Sequence, residues 1–373
     1  MITSFDDYPI HQTAEPIAHP APTDRNFYDR YWFNGFDKKG ELYFGASLGL
    51  YPNREVMDCG FSVLCGKEQH SFHASRRAPA DRAELRVGPL SLEVVRPMRE
   101  LRLRLAPNDT GIEADLVFRA KTIAHEEQRN HLWEDSRLML DTSSFVQYGS
   151  WQGHLKAGGE RVEVRYDTML GTRDRSWGVR PVGEPVRGVT PRREPGIYLL
   201  WSFNHFDDCC VHYQTFQEHG GAAIMAGGAL LPVYGSPEQI PSDGDAHARA
   251  FGAMSHVVEW RKGTRWASAA RLSLAERGAE RHELTVEPLL RFHMKGIGYQ
   301  HPKWGHGSWQ GEEVIAGEKW NVDELDPLTY DNLHVQQICR VRMGDRVGMG
   351  ALEQLVIGSH RPSGLKGMLD GAP

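Results

Sequence analysis

The sequence predicts an all-β protein with only minor helix, arranged as a sandwich or barrel in each of two similar units. Short stretches in which apolar and polar residues alternate recur along the chain, and glycine (39) and proline (21) separate them. Long amphipathic helical patterns are hard to find, although residues 244–254 and 269–277 suit short helices. Many short strands with turn residues between them are typical of sandwiches and barrels.

The alternation is regular enough to place individual strands. In Leu42–Leu50 every even-numbered side chain is apolar, and Leu101–Leu105 alternates leucine with arginine throughout. Residues 161–166 alternate charged side chains with Val162, Val164 and Tyr166. Such a pattern sends one face of a strand to the core and the other to solvent. Further candidate strands are 113–119, 197–204, 209–217, 255–261, 282–293, 334–343 and 347–357.

A repeated pentapeptide indicates an internal duplication. Gly149–Gly153 reads GSWQG and recurs 158 residues later as Gly307–Gly311. At the same offset Gly159–Arg161 (GER) matches Gly317–Lys319 (GEK). We therefore expect a strand, a turn and the next strand to be repeated about one domain length apart. The proline- and arginine-rich stretch 181–196 suits a connection between two units. The predicted division is an N-terminal arm (1–24), a first unit (25–180), a linker (181–196), a second unit (197–361) and a C-terminal tail (362–373).

Composition narrows the class of protein. A chain of 373 residues suggests about two domains, and 40% hydrophobic residues indicate an ordinary globular protein. The net charge of -6 without a basic block argues against a nucleic-acid partner. No apolar run approaches the roughly 18 residues of a membrane span, and the polar N-terminus lacks the apolar core of a secretory signal. Five cysteines without a CxxC pair fit free thiols, so we expect a cytoplasmic protein without disulfides or a zinc ribbon.

The segment Gly171–Arg180 (GTRDRSWGVR) resembles the Asp-x-Ser/Asn-Trp-Gly signature of the carotenoid 1,2-hydratase (hydroxyneurosporene synthase)/AttH-like superfamily, and is most similar to a bacterial branch of it. Four more stretches support the resemblance, which covers nearly the whole chain: Trp32–Gly35, Leu48–Arg54, His301–Gly307 and Leu352–Gly358. The resemblance implies two lipocalin-like β-barrels in tandem, in agreement with the internal duplication.

The resemblance also implies a type of chemistry. Members of the superfamily include hydratases of isolated double bonds, a fungal hydratase of a plant toxin and pericyclic cyclases, and they work without a metal or an organic cofactor. A cofactor-independent lyase or isomerase acting on an apolar, isoprenoid-like or polycyclic molecule is therefore expected. The carotenoid enzymes usually show a Tyr-x-Asp-His/Gln-Asn-Trp-Gly form. Here Arg173 and Arg175 flank Asp174 and Ser176 replaces the asparagine, which argues against a carotenoid substrate.

Asp174 is the leading candidate for proton transfer. Burial in an apolar pocket favours the protonated form of a carboxyl group, whereas a neighbouring guanidinium favours the anion. A neutral Asp174 could protonate an alkene or a leaving hydroxyl, and an ionised one could take a proton from water. Arg173 and Trp177 are candidates for substrate binding, since an indole face stabilises a carbocation. The alternative is that the Arg-Asp-Arg cluster pins one barrel to its neighbour through ion pairs.

Histidines could assist this carboxyl group. His205 lies at the end of a predicted strand and is a candidate acid or base. Trp201 lies on the same strand, and His212 lies on the next one, where alternation could send either side chain into a cavity. We take Trp201 and His212 as candidates for substrate binding. The alternative for each histidine is a surface or satisfied core position.

A second group of rings occurs in one glycine-rich stretch. His306 is a candidate catalytic residue there, and His301, Trp304 and Trp309 are candidates for substrate binding. We expect this stretch to form a loop across a barrel mouth, where it could be a lid, an aromatic cage or a hydrophobic plug. No HExxH motif or matching carboxylate spacing accompanies the two histidines, so no metal site is expected.

Two further carboxyl groups have apolar neighbours. Alternation could aim Asp58 and Glu353 inward, where each could be catalytic or could pair with Arg173 or Arg175. No nucleophile elbow, phosphate-binding loop or dinucleotide fingerprint stands out, which disfavours hydride and phosphoryl transfer.

Three functions remain open at this stage. The first is an enzyme whose hydrophobic small-molecule substrate binds between or inside the barrels. The second is a carrier that binds a hydrophobic ligand and performs no chemistry. The third is an accessory pair of domains that recognises a protein partner through an exposed apolar patch.

Overall fold

The structure, a computed structural model, describes residues 2–3, 5, 8–134, 136–182, 196–278 and 281–373. The strands within these ranges are β1 (Phe27–Asp37), β2 (Leu42–Tyr51), β3 (Val56–Cys65), β4 (Glu68–Arg77), β5 (Arg86–Val87), β6 (Leu90–Arg96), β7 (Glu100–Leu105), β8 (Glu113–Ala120), β9 (His125–Glu126), β10 (Asn130–Glu134), β11 (Arg137–Ala157), β12 (Glu160–Val164), β13 (Met169–Val179), β14 (Ile197–His205), β15 (Cys209–Gln217), β16 (Ala223–Pro232), β17 (Arg249–Trp260), β18 (Ala267–Glu276), β19 (Arg281–His293), β20 (Glu313–Asn321), β21 (Val335–Met343) and β22 (Arg346–Ile357). Short 3-10 helices lie at Pro52–Arg54, Pro237–Gln239, Gly244–His247, Met294–Ile297, Tyr330–Asn332 and Arg361–Ser363. None of the helices in the described ranges has the length and apolarity that crossing a membrane requires.

The first barrel is one curved antiparallel sheet that nearly closes on itself. Its strand order is β20-β4-β3-β2-β1-β13-β11-β8-β7-β6-β5, and β9, β10 and β12 pair with the long strand β11. Aromatic side chains fill the interior, where the Trp151 ring lies 5.7 Å from Phe33, 5.2 Å from Phe44 and 5.2 Å from Phe118, each at a steep angle. Edge-to-face packing of this kind is favourable for aromatic rings.

The second barrel is closed, with the strand order β14-β15-β16-β17-β18-β19-β21-β22. Its interior side chains come from alternate positions of each strand and include the buried residues Leu200, Val211, Leu272, Leu284 and Leu352. Alternation therefore turns the odd-numbered side chains of β14 outward, toward the first barrel.

The outer faces of the two barrels form the contact between them. On β1, even-numbered side chains point away from the first barrel's interior, and Trp32 stacks on Phe203 of β14 with ring centroids 5.7 Å apart. Phe36 meets His205 edge-on at 5.5 Å. These rings are all buried. The most enclosed surface shared by the two barrels is therefore the seam between their outer walls.

The chain between β19 and β21 crosses to the first barrel. The 3-10 turn Met294–Ile297 lies on the outer face of β2 and β3, where Ser47 Oγ donates to the Ile297 carbonyl at 3.1 Å. Gly60 permits this approach, because a β-carbon there would lie 2.9 Å from Ile297 Cα. Strand β20 then pairs with β4 of the first sheet. Residues 313–321 were expected in the second barrel, but they extend the first one.

The all-β class predicted from alternation and the two barrels implied by the family resemblance are confirmed. Most individual strands are confirmed too, β2, β7, β8, β14, β15, β19, β21 and β22 among them. The two predicted helices are wrong. Within 244–254 only the turn Gly244–His247 is helical, and β17 follows. Residues 269–277 fall almost wholly in β18, since the inward side chains of Ala270, Leu272 and Leu274 recur every second residue.

The two copies of the pentapeptide take different structures. Gly149–Gly153 lies within β11, whereas Gly307–Gly311 lies in the loop before β20. Trp151 is fully buried, and Trp309 is 46% exposed. The match therefore does not mark equivalent strands of the two barrels, contrary to the expectation from sequence. Most of the predicted linker, 183–195, lies outside the described residues.

Candidate functional site

Strand β13 divides its polar side chains between two environments. Arg173 and Arg175 point into the first barrel, where Arg173 Nε donates to Gln147 Oε1 at 2.8 Å and Arg175 pairs with Asp29. Asp174 points the other way, into the contact between the barrels, because successive side chains of a strand alternate. The sequence left open whether burial or a neighbouring guanidinium decides the ionisation of Asp174. Burial has the larger effect, and the guanidinium groups that oppose it belong to Arg30 and Arg180.

Asp174 is a buried carboxyl group that favours its protonated form. Burial raises its pKa to about 8, the neighbouring carboxyl of Glu127 adds to that rise, and the charges of Arg30 and Arg180 oppose it. Within the described part of the chain, no hydrogen bond or ion pair engages the Asp174 carboxyl group. At neutral pH this side chain is therefore protonated, which is the state that a proton donor needs.

A second buried carboxyl group, Glu127, lies nearby. Glu127 Oε1 is 2.9 Å from His212 Nε2, and Ser144 Oγ donates to Glu127 Oε2 at 2.6 Å. Burial raises the pKa of Glu127 to about 7 and lowers that of His212 to about 3. Trp201 Nε1 donates to His212 Nε2 at 3.3 Å. The predicted binding residues Trp201 and His212 thus meet a carboxyl group that the sequence analysis missed, since Glu127 lies outside any alternating pattern.

His205 lies in the same contact. Its Nε2 is 3.3 Å from Thr172 Oγ1, and the Tyr148 ring lies 4.9 Å from its own. Tyr148 OH is in turn 3.3 Å from His212 Nδ1. Burial lowers the pKa of His205 to about 3, so this imidazole is neutral at physiological pH and does not act as an acid.

Next to Asp174, the site contains a cluster of arginine and aromatic side chains. Arg30 Nη1 donates to Tyr299 OH at 2.6 Å, and Arg30 Nη2 lies 3.0 Å from His306 Nε2. The same nitrogen of His306 is 2.9 Å from the Ile297 carbonyl oxygen. Burial, together with Arg30 and Arg180, holds the pKa of His306 well below its usual range. His306 is therefore a neutral group beside the arginines that face Asp174.

The remaining polar groups connect the two barrels directly. Asn34 Nδ2 and Tyr43 OH, from β1 and β2, donate to Gln336 Oε1 at 3.2 and 2.6 Å. Gln336 Nε2 donates to Glu353 Oε2 at 2.5 Å, and His334 Nε2 lies 2.7 Å from Glu353 Oε1. Glu353 was expected to face into its barrel or to pair with Arg173 or Arg175. Instead it faces the first barrel and binds these two neighbours.

Asp58 also differs from expectation. It points outward from the first barrel and accepts a hydrogen bond from the Gly307 amide at 2.6 Å. Burial raises its pKa to about 6, and that hydrogen bond opposes the rise. Its partner is thus the backbone of the 301–309 loop, and neither Arg173 nor Arg175.

Comparison with known proteins places the chain in a family. A family of unknown function, DUF8625, matches residues 2–366. The chain belongs to that family. No curated protein matches the sequence of this DUF8625 protein.

Solved structures share the fold of this DUF8625 protein. An AttH-like protein from Nitrosomonas europaea superposes with a TM-score of 0.54 at 13% identity, covering 93% of this chain and 98% of that one. Kievitone hydratase from Nectria haematococca superposes with a TM-score of 0.51 at 10% identity, covering 88% of each chain. At these identities the likeness establishes the fold, and it confirms the resemblance in fold inferred from the sequence.

The other predicted binding residues of this DUF8625 protein lie away from Asp174. Trp177 is 39% exposed and lies on the opposite face of β13. Trp309 is exposed, with the Arg77 guanidinium 5.2 Å from its ring. Trp304 is buried and stacks on His73 at 5.5 Å. The 301–309 loop was expected across a barrel mouth, but it packs on the outer face of β3 and β4.

One group of side chains, from this loop, β4 and β20, has metal-ligand character. His73, His301 and Glu318 bring three ligand atoms within 4.8 Å of one another. However, His301 Nδ1 accepts the amide hydrogens of Lys303 and Trp304, at 3.0 and 2.9 Å. His301 Nε2 must then carry the proton that it directs at Glu318, 2.7 Å away. A ligating histidine normally donates from its second nitrogen, so this arrangement fits a hydrogen-bonded cluster better than a metal centre.

Proposed function

We propose that this protein is a cofactor-independent lyase or isomerase, of hydratase or cyclase type, in which Asp174 transfers a proton to an apolar small molecule between the barrels. The observation that carries the proposal is the buried Asp174 carboxyl group, which has no hydrogen-bonding partner among the described residues and whose pKa of about 8 keeps it protonated at neutral pH. Perturbed carboxyl groups in enclosed contacts between domains are characteristic of sites of proton transfer.

The surroundings of Asp174 suit both the donation of its proton and the stabilisation of the charges that donation creates. A neutral Asp174 can protonate an alkene, or a hydroxyl group that then leaves as water. The anion that remains is stabilised by Arg30 and Arg180, whose charges already act on it. On the neighbouring strand Trp32 lies directly opposite Asp174 and stacks on Phe203. Aromatic faces of this kind stabilise a carbocation by roughly 0.5–2 kcal/mol.

An apolar substrate fits the character of the seam. Trp32, Phe203 and Tyr148 are buried there, and Trp201 is half-buried beside them. Because Asp174 itself is buried, a substrate reaches it only when side chains of the seam move, and Trp201 is the least enclosed of these rings. Kievitone hydratase shares this fold and is by name a hydratase, which supports the same class of reaction here.

The histidines take supporting roles in this proposal. His205 and His306 are neutral at physiological pH, since burial lowers the pKa of each. A neutral imidazole can accept a proton or orient a substrate hydroxyl. Arg173 lies inside the first barrel and is assigned a structural role. The alternative function, a carrier of the same hydrophobic ligands, differs only in whether the bound molecule changes.

Native mass spectrometry of protein purified from its own host, with identification of any bound small molecule, tests the proposal. We expect an isoprenoid-like or polycyclic molecule that accumulates unreacted on Asp174→Asn and is converted by the wild type. Incubation in H2(18O) with kievitone and simple isoprenoid alkenes as probes adds a direct assay, because hydration incorporates one labelled oxygen into the product.

The matched control is Asp115→Asn, which removes an exposed carboxylate paired with Arg102 on the outside of the first barrel. It should behave as the wild type in both experiments. An unaltered ligand on wild type and Asp174→Asn alike would instead establish a carrier and reject the enzyme.

A further inference from the structure

We infer that His334 and Glu353 form a general-base dyad at the seam between the barrels, with His334 Nδ1 as the atom that takes the proton. The inference deepens the proposed function and rests on it. Asp174 supplies the acid of an addition or elimination of water, and such a reaction also needs a group that removes a proton from the attacking water.

The hydrogen bonds around Glu353 fix the tautomer of His334. Gln336 Nε2 donates to one carboxylate oxygen at 2.5 Å, and His334 Nε2 lies 2.7 Å from the other. A carboxylate only accepts, so His334 Nε2 carries the hydrogen. In a neutral imidazole the second nitrogen is then an unprotonated acceptor.

The orientation of Gln336 is fixed as well. Its amide oxygen accepts from Tyr43 OH and from Asn34 Nδ2, so its NH2 group must face Glu353. Tyr43 and Asn34 belong to the first barrel. The arrangement of the dyad therefore depends on the contact between the barrels, where Asp174 also lies.

His334 Nδ1 has no hydrogen-bonding partner in the described part of the chain, although His334 is buried. Buried polar atoms are nearly always paired, and an unpaired one calls for an explanation. Glu353 contacts the other nitrogen of the same imidazole, so the direction in which His334 Nδ1 points is fixed. A water molecule or a substrate hydroxyl group is the partner that fits a single acceptor.

The dyad lies beside groups whose charges shift the pKa of Asp174. The Tyr299 ring meets the His334 ring edge-on, with centroids 4.7 Å apart. Tyr299 OH accepts from Arg30, and the charges of Arg30 and Glu353 both act on Asp174. Asp174 and the dyad therefore both lie near the Arg30–Tyr299 pair, in the same region of the seam.

The proposed step balances in atoms and charge. Asp174 gives its proton to one alkene carbon, the oxygen of water bonds to the other, and one hydrogen of that water passes to His334 Nδ1. Glu353 stabilises the imidazolium that forms, as the carboxylate of a catalytic triad does. His334 then releases a proton and Asp174 takes one up, so the sum is the addition of one water molecule. Dehydration runs through the same steps in reverse.

The tautomer can be tested without a substrate. Long-range 1H–15N spectra of 15N-histidine-labelled full-length protein report which imidazole nitrogen carries hydrogen, and the His334 signals are those lost in His334→Asn. We expect a protonated Nε2 and an unprotonated Nδ1 in the wild type. Glu353→Gln should mix the two tautomers, because an amide can donate as well as accept. A protonated Nδ1 in the wild type would overturn the dyad.

His301 and Glu318 provide the control for these spectra. Their contact has the same length of 2.7 Å, but His301 Nδ1 already accepts two backbone amides. Its tautomer should therefore survive Glu318→Gln, whereas that of His334 should not survive Glu353→Gln. Equal responses of the two histidines would show that Glu353 does not position His334.

Measurements of kcat in two variants can test the dyad separately from the proposed function. With kievitone, or with the ligand identified by mass spectrometry, His334→Asn should lower kcat by about 10²–10⁴ and change KM far less. Glu287→Gln, on the outside of the second barrel, should leave kcat unchanged. Wild-type kcat in His334→Asn beside an inactive Asp174→Asn would reject the dyad alone. Full activity of both variants would reject the proposed function too.

Discussion

Glu127 Oε1 lies 2.9 Å from Nε2 of His212, and the two side chains come from different barrels. Burial opposes charge on both, because it raises the pKa of Glu127 to about 7 and lowers that of His212 to about 3. Between these values the contact joins a protonated carboxyl group to a neutral imidazole. Glu127 is also the group that, after burial, raises the pKa of Asp174 most.

This coupling predicts the effect of Glu127→Gln. The substitution removes a negative charge that disfavours ionisation of Asp174, so the pKa of Asp174 should fall from about 8 toward its ordinary range without reaching it. Carboxyl 13C shifts followed against pH would measure the change. Glu312→Gln, which removes an exposed carboxylate paired with Arg77, should leave the pKa of Asp174 unchanged. An unchanged Asp174 titration in Glu127→Gln would show that the two carboxyl groups do not interact.

Stability should depend on pH through Asp174. Unfolded, its carboxyl group loses its proton near pH 4, but in the folded protein it keeps the proton up to about pH 8. The folded state binds the extra proton between these values, so this group's contribution to stability is complete below pH 4 and is lost as pH rises toward 8. Through this one carboxyl group the free energy of unfolding should fall by up to about 1.4 kcal/mol for each unit of pH.

Asp174→Asn removes this dependence, so urea unfolding should show the variant gaining stability relative to the wild type as pH rises from about 5 to about 8. His212 and His205 have the opposite effect on stability. Their pKa values are lowered in the folded protein, so the unfolded state takes up more protons and the protein loses stability as pH falls below about 6.5. They are common to both proteins and cancel in the comparison. A constant difference between the two proteins across this range would contradict the assignment.

The repeated pentapeptide gives a matched pair of tryptophans. Trp151 packs against Phe33, Phe44 and Phe118 and donates from Nε1 to the Asn34 carbonyl at 2.8 Å. Trp151→Ala should cost about 3–5 kcal/mol in the free energy of unfolding. Trp151→Phe should cost less, since most of the ring is kept.

Trp309, in the same five-residue sequence, serves as the control. It is exposed, so Trp309→Ala should change the unfolding free energy by no more than about 0.5 kcal/mol. Chemical denaturation of the three variants would measure all of these values. Similar losses at Trp151 and Trp309 would mean that the two copies have equivalent environments after all.

The C-terminal segment is predicted to depend on one buried arginine. Arg265 is inaccessible to solvent and donates to the backbone oxygens of Gly358, Gly367 and Asp370 and to the Asp370 carboxylate, at 2.7–2.9 Å. Arg265→Ala leaves these acceptors unpaired, so we expect a loss of about 3–5 kcal/mol and cleavage after residue 358 in limited proteolysis. The exposed Arg271→Ala should show neither effect, and resistance of Arg265→Ala to protease would refute the prediction.

Alternation was the most dependable guide to the fold. It located β2, β14 and β22 closely, because a strand with one buried face repeats its apolar residues every second position. In β13 the same alternation sends Asp174 to one face and its neighbours Arg173 and Arg175 to the other. The three residues are adjacent in the motif, but they do not form one cluster in space.

Other parts of the site carried no local signal. Glu127 lies between two short strands, and His334 precedes β21, so neither belongs to a motif or a regular pattern. Each can be recognised only from a contact with a residue that is distant in the chain: Glu127 contacts His212, and His334 contacts Glu353. Sequence reasoning did single out His212 and Glu353, but it could not pair them.

The sequence by itself determined the all-β class, since this follows from local alternation, and the family resemblance implied the two barrels. A short motif made Asp174 a candidate for proton transfer. Only the tertiary structure decided that the outer walls of the barrels meet, that β20 joins the first sheet, and that Asp174 is buried among Glu127, Arg30 and Arg180. The physical reason is that burial and charge act through space. The pKa of a carboxyl group depends on which distant side chains and how little water surround it, and the spacing of residues along the chain does not specify either.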